Sequence, residues 1–524
     1  MTAARRLLDG LGVVLLGALG ASLLFWSGRI EAAWARPEGI LVVFLAVASL
    51  RLVVAPADVP AFSPRRVVLA GTVAYALGFS FVTVTRHLTL QTHALDLGYY
   101  VQLTWNLAQG QGPRVSLPEM HAWGDHLSPI MYLFVPVFWV APGPVALLVA
   151  QSAILALGAP AVFGIAARRL GDERPAAAFA LLYLANPSLH GINVRDFHAA
   201  ALAIPLLLAA VYFAEAGRPW LMAGAAALTM LCREDAALAV LGLGLWLGLG
   251  RRRWREGAVT AVAALAVFFA EVGWIVPTYR GQPYSHLERY AHLGRSVFEI
   301  ALAPLLHPLR TLGTLLTWER VVYLIAMLAP LGFLPLLGLR DALGALPGLV
   351  ENLLGTDPVL HNYRTQYQAF VLPFLFVAAI GGYERWAKRR EGRWPVAVLV
   401  VAMVLSLGLA SRTANNFAVA RWWPTADERA AHDVMAAVPP GAALSAQDPY
   451  IAHLSLRPLV FVFPEGIGKS DHVLINAGSY PWRNLPGVTM ERLGGALTIS
   501  MPGGREYRYE IVRSAGSHLL LRRQ

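Results

Sequence analysis

From residue 7 to residue 412 the chain is a succession of long apolar runs separated by short polar breaks, and segments of that kind are stable only where lipid replaces water. The runs fall near 7–26, 39–55, 67–84, 144–167, 175–190, 199–214, 219–232, 235–250, 257–278, 321–339, 342–355, 368–384 and 395–412. An upright helix needs about 20 residues to cross the hydrocarbon layer, and several runs are shorter, so the boundaries are soft. Charged residues make up 14% of the 524, against about 25% in soluble proteins. The fold class expected is an all-α polytopic membrane protein with about 13 transmembrane helices.

The net charge of +11 does not point to nucleic acid. The arginines fall in short clusters between the apolar runs, where they act as orientation signals. Cys232 is the single cysteine, so no intramolecular disulfide can form. The first apolar run follows Arg5 and Arg6 without a convincing small-residue cleavage site, so no cleavable signal is expected.

Topology turns on residues 127–141, HLSPIMYLFVPVFWV. At about 15 residues, with two internal prolines and many aromatics, this stretch reads as an interfacial helix. With a cytoplasmic N-terminus and no crossing there, Arg65–Arg66, Arg168–Arg169, the run at 251–255 and the run at 385–390 all fall on the cytoplasmic side. The loops around Asp96, Asp125, Asp196, Asp235, Glu288 and His361 then open together on the opposite face. The expected organisation is two N-terminal helices over 1–66, a transmembrane domain over 67–412 with outward loops at 85–143 and 279–320, and a small soluble α/β domain outside the membrane over 413–524. In that last segment the short runs 442–446, 459–463 and 472–476 are strand-like and 427–438 is helix-like.

The polar residues in the outward loops are the candidate site. Asp96 opens an amphipathic stretch, ALDLGYYVQLTWNLAQGQG, either as an N-cap or as an aimed catalytic carboxylate. HAWGDHLSPIMYL brings Asp125 and His126 ahead of a Ser-Pro helix start that already supplies a cap. NVRDFH carries Asp196 and His198; an Asp-x-His pair can hold a divalent cation only with a third ligand from elsewhere. LCREDAAL sets Arg233, Glu234 and Asp235 between two apolar runs with almost no loop, and each charge would cost about 2.5–3.5 kcal/mol at the bilayer centre, so these residues must face a polar cavity or the interface. Glu288 and Arg289 in the 279–320 loop, and His361, Tyr363 and Arg364 near the 357–367 loop, complete the set of substrate-binding candidates. The guanidinium groups suit bidentate recognition of a phosphate.

These stretches, together with ARRLG, HNYRTQYQAFVLPFLFVA and SAQDPYIAHLSLRPLVFVFP, resemble in order and spacing an uncharacterised family of prokaryotic predicted membrane proteins, from about residue 67 to about 480. The layout is more remotely similar to the GT-C superfamily of multispanning glycosyltransferases, which take sugar from a polyprenyl-phosphate carrier. That resemblance implies a GT-C-like transmembrane domain, with Asp96 as the first-loop acid, His126 as the interfacial histidine and Asp196 as the second-loop acid. Leu97 and Gly98 follow Asp96 where many relatives carry a second acid or an aromatic, so a divalent cation is left open.

The activity implied is inverting transfer of a sugar from a polyprenyl-phosphate donor on the extracytoplasmic face, with Asp96 as base, Asp196 as a second catalytic acid and the arginines on the leaving phosphate. The partners implied are the lipid-linked sugar, membrane lipid and a glycan, lipid or protein acceptor. The alternative is a transporter or flippase for an amphiphilic substrate, which uses the same outward cavity without chemistry. A scaffold whose soluble domain recruits partners is a third reading, under which Asp96 would be dispensable.

Overall fold

The structure, a computed structural model, describes residues 2–26, 32, 35–54, 62–389, 394–478 and 487–524. Arg390, the last residue of the 385–390 basic run, lies outside them. Among the described residues four helices are long and apolar enough to cross a membrane: Ala3–Phe25, Pro64–Leu88, Pro144–Leu170 and Trp254–Arg280. Two bent pairs raise the number to six, Pro308–Leu315 with Trp318–Leu331 at 61° and Trp394–Leu409 with Ser411–Phe417 at 55°. The count of about thirteen is not reached by helices of spanning length. Several of the expected spans are shorter than spanning length: Glu173–Leu184 and Pro219–Met230 have 12 residues each, and Ala199–Glu215, with its 3₁₀ start, and Ala236–Gly250, with its π-turn, also fall short. Such helices are about 18–27 Å long, against a hydrocarbon core of about 30 Å. The helix Leu372–Ala387 is buried along nearly its whole length and packs inside the helical body.

Residues Pro129–Phe134 form a 3₁₀ turn and Val135–Val140 an α-helix, six residues each, with a proline at the start of each piece. Together they reach roughly 20 Å, too short to cross.

The arginine clusters meet at one end of the bundle. Arg169 donates to Glu215 Oε1 at 2.6 and 2.8 Å and lies 3.2 Å from Asp341 Oδ2, while Arg251 reaches the same two carboxylates at 2.9 and 3.0 Å. Trp246 Nε1 completes the group with a 2.9 Å bond to Asp341. Arg65 pairs with Glu173 nearby in the chain from Arg169. Pro64–Leu88 and Trp254–Arg280 start at this end and run about 38–40 Å to the other, where the outward loops gather.

Over the outward loops lies a seven-stranded sheet. Its strands are β3 (Leu444–Ala446), β4 (Val460–Val462), β5 (His472–Asn476), β6 (Thr489–Leu493), β7 (Ala496–Met501), β8 (Arg505–Ala515) and β9 (His518–Arg523), in the order β4-β3-β5-β9-β8-β7-β6. β3 pairs in parallel with β4 and β5, and β5 to β9 and onward is antiparallel. A helix at Ala426–Ala436, started by a Thr425–Glu428 capping box, packs on the sheet. The strands and the helix expected in this segment are present; the antiparallel half beyond residue 488 was not anticipated.

The sheet is bolted to the first outward loop, whose hairpin is β1 (Arg114–Ser116) and β2 (Glu119–His121). Ser116 Oγ donates to Val460 O at 2.7 Å and accepts from Val460 N at 2.9 Å, and buried Gln102 donates to Arg457 O at 3.0 Å. Ala94 and Leu117 insert into the sheet domain's apolar core.

Asp341 holds two guanidinium groups and an indole at a site only 5% exposed. Removing one partner of such a buried charge group strands the others, at about 3–5 kcal/mol. Asp341→Ala is expected to lose that much stability in detergent, read as a lower unfolding temperature, whereas Asp433→Ala, at an exposed pair with Arg513, shifts it little.

Candidate active site

The end of the helical body opposite the arginine group carries two polar groups. The first surrounds Asp96. This residue lies inside the π-turn Ala94–Gly98 and does not cap it. The free amides at that helix start are taken by other acids: Asp196 Oδ2 accepts from His93 N at 2.8 Å, and Asp448 Oδ1 accepts from Ala94 N at 2.8 Å. Capping in trans leaves the Asp96 carboxylate for a different partner, His198 Nε2 at 3.1 Å. Asp448 Oδ2 also takes His93 Nδ1 at 2.7 Å. His198 is itself positioned by Gln151, which accepts from His198 N and donates to Asp196 O.

Burial opposes ionisation of Asp96, but His198, Arg195 and His93 outweigh it and hold the carboxyl below its ordinary range. Asp196 goes the other way. Burial, aided by the charge of Asp96, pushes it up to about 6. Asp196 is also at φ 74°, a left-handed conformation that an Asp tolerates better than most side chains.

The close fit explains Gly98. A Cβ there would stand 3.1 Å from Ser455 Oγ and 3.2 Å from Ile451 Cγ2, both in the sheet domain. The Leu-Gly pair after Asp96 is where the helix Asp448–Leu454 comes down on the turn.

The second group is built on Arg233, Glu234 and Asp235, at 3%, 0% and 8% exposure. Arg233 Nε donates to Asp235 Oδ1 at 2.6 Å and its Nη2 pairs with the other oxygen, while the guanidinium lies 5.1 Å over the rings of Tyr367 and Phe370. Glu234 Oε1 meets His126 Nδ1 at 2.9 Å and accepts from Tyr284 OH at 2.7 Å; its Oε2 accepts from Leu127 N at 3.0 Å. The His286 ring stacks on His126 with centroids 4.6 Å apart and planes 4° from parallel. Desolvation disfavours the Glu234 carboxylate, but His126 and Arg233 keep it well below the usual range; burial lowers His286 to about 3.

Beside this group is a cavity of about 430 Å³. Arg233, Asp235, Arg289, Tyr284, His126, His286 and Glu351 are among its polar lining residues. Leu265, Phe268, Phe269, Ile300 and Leu346 are among the many apolar ones. Arg289 donates to Tyr367 OH at 3.0 Å and lies 3.3 Å from Asp357.

The profile of the predicted membrane protein family DUF2079 matches residues 86–486. The chain belongs to the DUF2079 family. No curated protein matches it. Among solved structures it is similar to ArnT from Cupriavidus metallidurans, both bound to undecaprenyl phosphate and in the apo state. In each case the TM-score is 0.49 and the identity 14%, over 86% of this chain and 97% of that one.

This DUF2079 protein is a multi-pass membrane protein, and most of the sequence candidates lie in its two polar groups. Asp96, Asp196 and His198 form one; His126, Arg233, Glu234, Asp235 and Arg289 belong to the other. Asp96 and Asp196 do not line the cavity, so the three acids Asp96, Asp196 and Asp235 do not share it as expected. Glu288 is exposed. His361 binds Asn352 O at 3.0 Å inside a hydrogen-bonded group with Tyr323 and Gln368. Tyr363 packs against the core, and Arg364 presses its backbone on Gly191, where a Cβ would be 2.6 Å away. Asp196 and His198 find no third ligand of the kind a cation needs among the described residues. Tyr284 and His286 are polar residues of the 279–320 loop that were not among the site candidates, and Asp448 and Glu351 are additions from the structure. Asp448 was signalled by the SAQDPY motif, and Glu351 by being a single acid in an apolar run.

Because its folded pKa is raised from 3.8 to about 6, Asp196 favours the native state when protonated, and that advantage disappears as pH rises through 6. Asp196→Asn keeps the neutral form at all pH values. The wild-type protein is therefore expected to lose stability relative to the variant between pH 4 and pH 7, as read by paired thermal unfolding; a difference flat with pH refutes the assignment.

Proposed function

We propose that this protein transfers a sugar from a polyprenyl-phosphate donor to a hydroxyl acceptor at the non-cytoplasmic membrane surface. The observation that carries this reading is a cavity lined by two guanidinium groups and by a predominantly apolar surface. A lipid-linked phosphate needs both. Its chain stays with the apolar lining and the bilayer, and its anion requires fixed cations where water is scarce. Arg289 and Arg233 suit the phosphate, and Tyr284 and Tyr290 offer hydroxyls beside it.

Asp96 has the complementary role. It is ionised, held by His198 and still partly open at 37% exposure. We assign it to orient an acceptor hydroxyl and take its proton as the anomeric carbon is attacked. Direct displacement inverts that centre, and the leaving lipid phosphate is stabilised by the arginines. The donor enters from the cavity and the acceptor from the Asp96 side, and Tyr99 and Tyr100 follow Asp96 in the chain. Both phenols lie in the field of Asp125 and Glu234. The arginine-rich end faces the cytoplasm, as the positive-inside rule requires.

The test is sugar transfer by purified protein in detergent, with labelled polyprenyl-phosphate sugars and a panel of glycan, lipid and peptide acceptors. Asp96→Asn is expected to lower kcat by about 10²–10⁴ while donor binding persists. Arg289→Ala is expected to raise the donor KM by about 10–100-fold, the worth of charge-assisted hydrogen bonds. Donor movement across liposomes without product, unaffected by Asp96→Asn, would establish a transporter and overturn the proposal.

A further inference from the structure

His126, Glu234 and His286 come from three separate parts of the chain, and one ligand atom from each lies within 4.8 Å of the others. His126 follows the first outward loop's 3₁₀ turn, Glu234 sits at the break between two apolar helices, and His286 is in the later loop. Two imidazoles and a carboxylate are the donor set of many zinc sites, with bonds of about 2.0–2.2 Å and neighbouring ligand atoms about 3.3 Å apart. A contraction of at most about 1.5 Å per pair, within the reach of side-chain rotation, would bring the present atoms to that spacing.

The surroundings are those of a prepared ligand set. Glu234 is fully buried, and its second oxygen is held by the Leu127 amide while Tyr284 fixes the first. Bonds of this type orient a metal-binding carboxylate. His286 Nε2 is buried with no hydrogen-bond partner, and Asp125 Oδ1, the acid beside it, stands 3.8 Å away, beyond hydrogen-bonding distance. A pair of stacked histidines on one glutamate is poorly explained by salt bridging alone, because only one imidazole contacts the acid directly.

We propose that His126, Glu234 and His286 bind a divalent transition-metal ion of the zinc class on the wall of the cavity. Three protein ligands leave a coordination position open, and both histidines line the cavity, so the ion would take an oxygen ligand from its contents. An anionic oxygen such as that of a phosphate is the class of ligand it would accept. The site stands on its own ligands and does not require that sugar transfer be the reaction.

Full-length protein in detergent, stripped with chelator, is loaded with Zn²⁺ or Co²⁺, freed of excess ion by gel filtration and analysed for metal content. About one equivalent per chain and a Co²⁺ ligand-field absorption band are expected. His286→Ala and the double variant His126→Ala/His286→Ala are expected to lose at least about tenfold in metal affinity. His121→Ala, which changes a histidine stacked on Tyr279, retains the ion. Zn²⁺ should raise the unfolding temperature of the wild type and not of the double variant, and monodisperse elution of the metal-free variants shows that they fold. Wild type that retains no metal, or retention equal in wild type and double variant, overturns the proposal. Metal binding without sugar transfer would leave this site standing and remove the transferase reading; transfer with no metal retained by the wild type would remove this site and leave the transferase reading standing.

Discussion

Three consecutive ionisable side chains, Arg233, Glu234 and Asp235, are buried where one apolar helix ends and the next begins, and the outward end is organised around neutralising them. An unpaired buried charge costs several kcal/mol, so each must have a partner in place before the helices can pack. Asp235 takes Arg233 head-on, the Tyr367 and Phe370 rings cover the guanidinium, and His126, Tyr284 and the Leu127 amide converge on Glu234. These partners come from residues 126–127, 284 and 367–370, so one helix break ties together loops distant in sequence. The cost of burial is what gathers polar groups at the cavity.

The second constraint is the sheet domain. Asp448 caps the Asp96 turn from 350 residues further along the chain and engages His93 as well. Gly98 lets the sheet domain's helix approach closely, and Ala94 and Leu117 are part of its core. Asp96 is thus freed from capping and aimed at His198 because another domain does the capping. Domain and first outward loop form one unit, and a change at their contact reaches the carboxylate without touching it.

Much of this was legible in the residues. Apolar runs marked the membrane class, the prolines and short length of 127–141 marked a segment that does not cross, and LCREDAAL announced a buried polar turn. The end-to-end placement of the arginine clusters against the outward acids follows from charge distribution alone. What the chain does not declare is which distant groups meet. Nothing in the neighbourhood of His126 points to His286, and Asp448 reads as an ordinary helix-start acid until the sheet folds over Ala94. The number of crossings is not confirmed, because hydropathy registers apolar character and not length: Ala236–Gly250, with its closing π-turn, is as apolar as a span but shorter than one. The convergence of Asp96, Asp196 and Asp235 in one cavity depends on tertiary geometry that no local pattern encodes, and of the three only Asp235 lines it.

The central claim is that the cavity holds a lipid phosphate by its arginines. Cryo-electron microscopy of the protein in lipid nanodiscs with a polyprenyl phosphate tests it most directly. The account predicts the phosphate within hydrogen-bonding distance of Arg289 or Arg233 and the chain along Leu265 and Phe269. A cavity filled by ordinary phospholipid with no phosphate at either arginine, or a polyprenyl phosphate seated elsewhere, would contradict it.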